Sequence, residues 1–236
     1  MEVSVGARLS VIALWGTLAA AGSALALAAR GAGPLPGDLA MTRWLQSSVP
    51  PDHLAGSLLA YQGRVVWLLP VAFLAVTLLR RRWLAALFVI LAGLSGLLVG
   101  DELKLLVARA RPPAGPVRVY EVSDDHGFPS TTALLSVVLL GMVCYLAGHE
   151  RLRPSFVAVV VGVSLALVLA SGISRVYLGE HWATDVLGGW LFGGAWLIVL
   201  IAIHSWVTSR HLHRGARYRR RGQRVVWHVW HVCRAP

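Results

Sequence analysis

Six stretches of the chain, residues 9–29, 67–79, 83–100, 130–148, 155–174 and 186–209, are almost free of charge and rich in Leu, Val, Ala and Gly. Most approach the ~20 residues a helix needs to cross ~30 Å of hydrocarbon. The second is short by itself and needs residues 58–66 to complete it, which brings Gln62 and Arg64 near one interface. The expected fold class is therefore all-α. It is a polytopic membrane protein, with one bundle of six transmembrane helices over residues 1–207 and a basic tail over 208–236. Composition agrees: 14% of residues are charged and 56% are hydrophobic, whereas a soluble domain carries about a quarter charged residues. The first apolar run exceeds the 7–15 residues of a typical signal-peptide core, which favours a retained first helix over a cleaved leader.

A net charge of +11 suggests nucleic acid only until the charges are placed. Arg80, Arg81 and Arg82 fall between the second and third apolar runs, Arg151 and Arg153 between the fourth and fifth, and a series from Arg210 to Arg234 follows the sixth. In a six-helix chain these positions share one side with the N-terminus. The positive-inside rule makes that side cytoplasmic and the protein a multi-pass component of the cell membrane. The tail is then placed to meet anionic lipid headgroups or to act as a solvated topological anchor, and nucleic-acid binding is not expected. Cys144 and Cys233 both fall on the cytoplasmic side, so no disulfide framework is expected. The longest interhelical segment, residues 31–64, lies outside, and its "PGDLAMTRWLQ" has the makings of a short interfacial helix.

Polar residues collect at the opposite, extracytoplasmic ends of the helices: "GDELKLLVARARPPAG", "DDHGFPSTTA" and "SGISRVYLGEHWATDVLGG". Ionisable groups at membrane depth are costly and mark a functional site by default. Lys104 is the chain's one lysine, with Arg109 and Arg111 following before Pro112 and Pro113 end the helix. Such residues can snorkel at an interface. Basic residues are disfavoured on the outer side, however, so their concentration there suggests an anion to hold. His181 and Asp185 stand four apart at a helix start and share a face. An imidazole whose Nδ1–H is held by a carboxylate presents Nε2 as nucleophile or base. Alone, that spacing is equally the mark of a hydrogen bond closing a helix end. Arg175 offers a guanidinium fork to phosphate oxygens.

Together these residues resemble the signatures of the type-2 phosphatidic-acid phosphatase superfamily of membrane lipid phosphatases. Lys104 through Arg111-Pro112 matches the first signature, Lys, six residues, Arg-Pro. Ser174-Arg175, His181 and Asp185 match the third. Pro129-Ser130 match the first half of the second, Pro-Ser-Gly-His, but Thr131 and Thr132 replace its glycine and histidine. The resemblance covers about residues 83–207. It implies that His181 attacks phosphorus to form a phosphohistidine, that Asp185 orients its ring, and that Lys104, Arg111 and Arg175 bind the phosphoryl oxygens. It implies no metal and no other cofactor; Glu121, Asp124 and Asp125 lack a convincing octahedral set. The implied partner is a lipid phosphate.

Ser130 follows Pro129 and precedes an apolar run, which makes it an N-cap candidate. The first-turn N–H groups near Thr131 and Thr132 then point at a bound anion and survive the loss of glycine and histidine. Thr132, by contrast, is far too weak an acid to protonate a leaving alkoxide, and general-acid help is worth ~10²–10⁴-fold. Three readings follow. The leaving group needs no acid, as when a polyprenyl diphosphate expels a phosphate monoester with a second pKa of about 6. Alternatively, His126 or His53 supplies the proton. In the third reading the protein binds or transports a lipid phosphate without efficient chemistry, which leaves an oriented His181 unexplained. The first is favoured. Phosphatidic acid, phosphatidylglycerol phosphate and a polyprenyl-linked sugar phosphate stay open as substrates, as does the oligomeric state.

Overall fold

In the computed structural model the described residues are 5–31, 33–49, 65–120, 122–150 and 152–232. His53, residues 58–64, Glu121, Arg151, Cys233 and Arg234 lie outside them. The described chain is all-α, with seven helices: α1 Val5–Ala29, α2 Asp38–Ser48, α3 Leu68–Leu79, α4 Trp83–Val107, α5 Thr131–His149, α6 Pro154–Tyr177 and α7 Ala183–Val232. It forms two compact units, residues 1–198 and 199–236, and α7 contributes to both.

Five of these helices are long and apolar enough to cross a bilayer: α1, α4, α5, α6 and the part of α7 over Ala183–Arg210. This is one fewer than the six expected. The described part of the remaining span is α3, whose 12 residues are too short to cross alone, and residues 58–64, needed to lengthen it, are among those not described. The helix anticipated in the first loop is present as α2.

Local chemistry explains the ends that matter. Helix α4 stops where Ala108 takes a left-handed conformation at φ 51°, its N–H returning to the Lys104 carbonyl, and Pro112 and Pro113 bar any continuation. Helix α5 starts at Ser130, whose extended backbone and side-chain oxygen cap the N–H of Ala133. Helix α6 begins with Pro154, where a missing N–H costs nothing.

Helix α5 is the central element. It packs on both α4 and α6, while α3 leans on α4 and α5, and α2 lies on α6. Its Ala133, Leu134, Val138, Met142, Val143 and Leu146 are fully enclosed. The first half of α7 reaches α5 through small residues. A Cβ on Gly189 would stand 2.6 Å from the Ser130 carbonyl oxygen, and one on Gly193 2.8 Å from that of Leu134. Backbones that close leave no room for a side chain, so glycine sets the spacing that brings the start of α7 to the cap of α5. Leu97 and Leu98 of α4 and Val159 and Leu165 of α6 are exposed. Apolar side chains turned outward on helices of spanning length are those of an integral multi-pass membrane protein.

Candidate active site

The C-terminal ends of α4 and α6 and the N-terminal ends of α5 and α7 come together, and the three polar stretches of the sequence meet there. Lys104, Arg111, Ser130, Arg175, His181 and Asp185 are all linked through one connected set of hydrogen bonds and ion pairs. Thr131 and Thr132 form the first turn of α5 beside it.

His181 is buried just before α7, 3% exposed. Its Nδ1 lies 2.8 Å from the Gly127 carbonyl oxygen. A carbonyl only accepts, so Nδ1 carries the hydrogen and Nε2 keeps its lone pair. Nε2 in turn lies 3.4 Å from Nη1 of Arg111. Burial holds the imidazole pKa below its ordinary 6.5, and the nearby charges of Arg111 and Lys104 act in the same direction, against the raising effect of Asp185. The ring is thus neutral near neutral pH, in the tautomer a nucleophile at Nε2 requires.

Asp185, expected to orient the ring, stands behind it. Its carboxylate lies 3.8 Å from His181 Nδ1, beyond hydrogen-bond range. One oxygen accepts the Trp182 N–H at 2.8 Å and the other accepts Arg109 Nη1 at 2.5 Å. The Gly127 carbonyl thus fixes the tautomer, and the Asp185 carboxylate lies behind the ring. Gly127 suits that position, since a Cβ there would meet Asp185 Oδ2 at 3.1 Å.

Arg109, set beside Lys104 and Arg111 in the sequence reading, has a different place. It is fully buried between two fully buried carboxylates, Asp185 at 2.5 Å and Asp38 at 2.7 Å, and it also donates to Thr184 Oγ1 at 2.7 Å and the Gly33 carbonyl at 2.9 Å. Asp38, the first residue of α2, further accepts the N–H and hydroxyl of Thr184 and the Leu35 N–H. Every ionised atom has a partner, the condition under which buried charges are tolerated. Sequence reasoning did not single out Asp38, because its charged partner Arg109 is 71 positions away in the chain.

Lys104 and Arg111 both bind Asp125. The Lys104 ammonium takes Oδ2, and the Arg111 guanidinium takes Oδ1 through Nε at 2.7 Å and Nη2 at 2.6 Å. Arg111 also donates through Nη1 to the Glu180 carbonyl at 2.9 Å. Arg175 pairs with the Glu180 carboxylate, and its buried Nε has no hydrogen-bond partner. Between Arg175 and His181 the chain turns at Gly179, whose φ is +67° and where a Cβ would collide with the Arg118 carbonyl oxygen. Only glycine satisfies both demands.

Ser130 is fully buried; its N–H donates to the Asp185 carbonyl at 3.0 Å and its Oγ faces the Ala133 N–H at 3.5 Å. The Thr131 hydroxyl is buried without a hydrogen-bond partner. Thr132 and His126 are half-buried, His126 lying in the chain between Asp125 and Gly127.

Residues 82–209 match the PAP2 superfamily. Among curated relatives, the chain is 34% identical over 122 residues to phosphatidylglycerophosphatase B of Bacillus subtilis, covering 48% of this chain and 55% of that protein. It is 31% identical over 143 residues to undecaprenyl-diphosphatase of Sulfolobus acidocaldarius, covering 59% of this chain and 64% of that protein. The matches thus span between half and two-thirds of those relatives. The fold is similar to the crystal structure of a transmembrane PAP2-type phosphatidylglycerolphosphate phosphatase from Bacillus subtilis. The TM-score is 0.70 at 22% identity, over 82% of this chain and 96% of that one. With more than half of its length matching that family, the chain belongs to the PAP2 superfamily of membrane lipid phosphatases.

Proposed function

We propose that the protein hydrolyses a lipid phosphate through a phosphohistidine on His181, with a polyprenyl diphosphate as the favoured substrate and the site on the extracytoplasmic face. The observation that carries the reading is the setting of His181. A neutral imidazole has its hydrogen on Nδ1 facing a carbonyl, while Nε2 faces Arg111. A protein that only bound or carried its ligand would have no use for so specific an orientation.

The step balances simply. Nε2 forms a bond to phosphorus as the P–O bond to the leaving group breaks, and that oxygen departs with the electron pair. Water then attacks the phosphohistidine, releasing phosphate and restoring the imidazole. Phosphoryl transfer of this kind depends mainly on positioning and on charge facing the moving phosphoryl oxygens. Lys104, Arg111 and Arg175 supply that charge, and the capped start of α5 adds backbone donors.

Thr132 selects among substrates. With no acid there, a leaving group that departs as a stable anion is favoured, and a phosphate monoester released from a diphosphate is one. Similarity to an undecaprenyl-diphosphatase agrees with this. Similarity to a phosphatidylglycerophosphatase keeps a monophosphate in view. One observation favours a second source of the proton: His126 directly joins Asp125, on the phosphate-binding cations, to Gly127, on the nucleophile. The test is phosphate release by purified protein from matched polyprenyl diphosphate and monophosphate, phosphatidic acid and phosphatidylglycerol phosphate, with His181→Ala beside it. Diphosphate is expected to be cleaved fastest and His181→Ala to be inactive. Faster monophosphate cleavage would overturn the substrate assignment, and turnover by His181→Ala the mechanism. A His126→Ala variant with an unaltered pH profile would remove the second source.

A further inference from the structure

We propose that Asp125 is a specificity-determining residue: its carboxylate occupies the phosphoryl position on Lys104 and Arg111, so only a doubly charged phosphate displaces it. The inference rests on the reading of Lys104 and Arg111 as phosphate ligands. Both oxygens of the Asp125 carboxylate are engaged, one by the Lys104 ammonium and the other by two nitrogens of the Arg111 guanidinium. This is the arrangement two phosphoryl oxygens would take. The third nitrogen of the same guanidinium lies 3.4 Å from Nε2 of His181, so the carboxylate sits on the cation that adjoins the nucleophile.

Of the four carboxylates in the cluster, this one is free to leave. The side chains of Asp38 and Asp185 are 0% exposed and that of Glu180 is 10% exposed, whereas Asp125 is 46% exposed. Its remaining side-chain partner is the exposed Ser123 hydroxyl. Burial alone would favour its neutral form, but Lys104, Ser123 and Arg111 outweigh burial and hold its carboxyl well below the usual carboxylate range. Protonation therefore does not clear the site near neutral pH; a competing anion must.

Charge decides which anion succeeds. Lys104, Arg109, Arg111 and Arg175 are matched in the ion pairs by Asp38, Asp125, Asp185 and Glu180, so the cluster is neutral over these groups. Withdrawing Asp125 leaves one uncompensated positive charge. A phosphate monoester or terminal phosphate, nearly dianionic at neutral pH, meets Lys104 and Arg111 with twice the charge of the carboxylate it replaces. A phosphodiester carries one charge and gains nothing over Asp125. Bilayer phospholipids are phosphodiesters for the most part and surround the site in excess, so an internal monoanion keeps them out while admitting the substrate.

Direct binding to the full-length protein in detergent tests this separately from catalysis. Titration calorimetry at pH 8 with inorganic phosphate and with dimethyl phosphate would be applied to the wild type, Asp125→Asn and Asp125→Ser. If the occluded form holds about nine-tenths of the population, apparent affinity for phosphate rises roughly tenfold when it is removed. Dimethyl phosphate is expected to bind measurably only in the variants. Unchanged or weaker phosphate binding in variants that melt like the wild type would overturn the inference while leaving the lipid-phosphatase reading intact. Absence of phosphate binding in all three proteins would overturn it together with the assignment of Lys104 and Arg111. Should both variants fail to fold, equal affinity of the wild type for phosphate and dimethyl phosphate would overturn it, and a preference for phosphate would support it.

Discussion

The imidazole of His181 donates from Nδ1 to the Gly127 carbonyl, faces Arg111 Nη1 through Nε2, and sits in the field of the groups around it. Its folded pKa lies below the ordinary 6.5, chiefly through burial. The unfolded chain therefore binds a proton that the folded chain refuses, and the sign of linkage follows. Stability contributed by this group is present above 6.5 and is lost as pH falls from 6.5 towards the lower folded value. The same shift predicts that the acid limb of kcat/KM falls below 6.5, measured across a buffer series on the preferred substrate. Asp185→Asn removes the charge behind the ring while preserving the Gly127 bond. It is expected to lower kcat by roughly 10²–10⁴-fold, by analogy with other oriented histidines, with the nucleophile still in place. Thr132→His is expected to raise turnover of a lipid monophosphate selectively over that of the matched diphosphate, because only the poorer leaving group gains from an acid. Equal gains on both would argue against the leaving-group reading.

At the scale of elements, a salt-bridged cluster ties α2, the end of α4 and the start of α7 to one another. Arg109 between Asp38 and Asp185 has no exposed atom. Replacing it by Met leaves two carboxylates buried without their cation, a change expected to cost about 3–5 kcal/mol, read as a lowered melting temperature in detergent. Packing between α5 and α7 has the opposite vulnerability, too much volume. A methyl group at Gly189 would press on the Ser130 carbonyl at 2.6 Å and on Ala133 Cβ at 3.0 Å. Gly189→Ala is thus expected to cost about 1–3 kcal/mol and to raise KM as well, because it displaces the cap that aims the first turn of α5. The sequence made much of this level legible: the Ser130 cap, the proline stops and α2 all follow from residues within a few positions of one another. The ionic cluster was not legible, because Asp38 and Thr184 are 146 positions apart and no local pattern joins them.

For the molecule at large, the polar stretches at the helix ends close into one site at one end of a helix bundle. We propose from the distribution of arginines and the positive-inside rule that the site faces outward and the C-terminus inward. A green fluorescent protein fused after Pro236 is expected to fluoresce, and an export-dependent alkaline phosphatase at the same point to be inactive. The reverse result would turn the proposed topology over. What the sequence by itself determined is what short-range physics controls. Apolar run length demands membrane helices, spacing puts polar side chains on common faces, and Lys104, Arg111, Arg175, His181 and Asp185 resemble the family's signatures at sites near helix ends. Only the tertiary structure decided who pairs with whom. Asp185 turns to Arg109, the Gly127 carbonyl takes the ring hydrogen, and Asp125 pairs with both Lys104 and Arg111. A buried charge takes whichever opposite charge the packed chain brings nearest, and that neighbour is chosen by helices meeting across the fold.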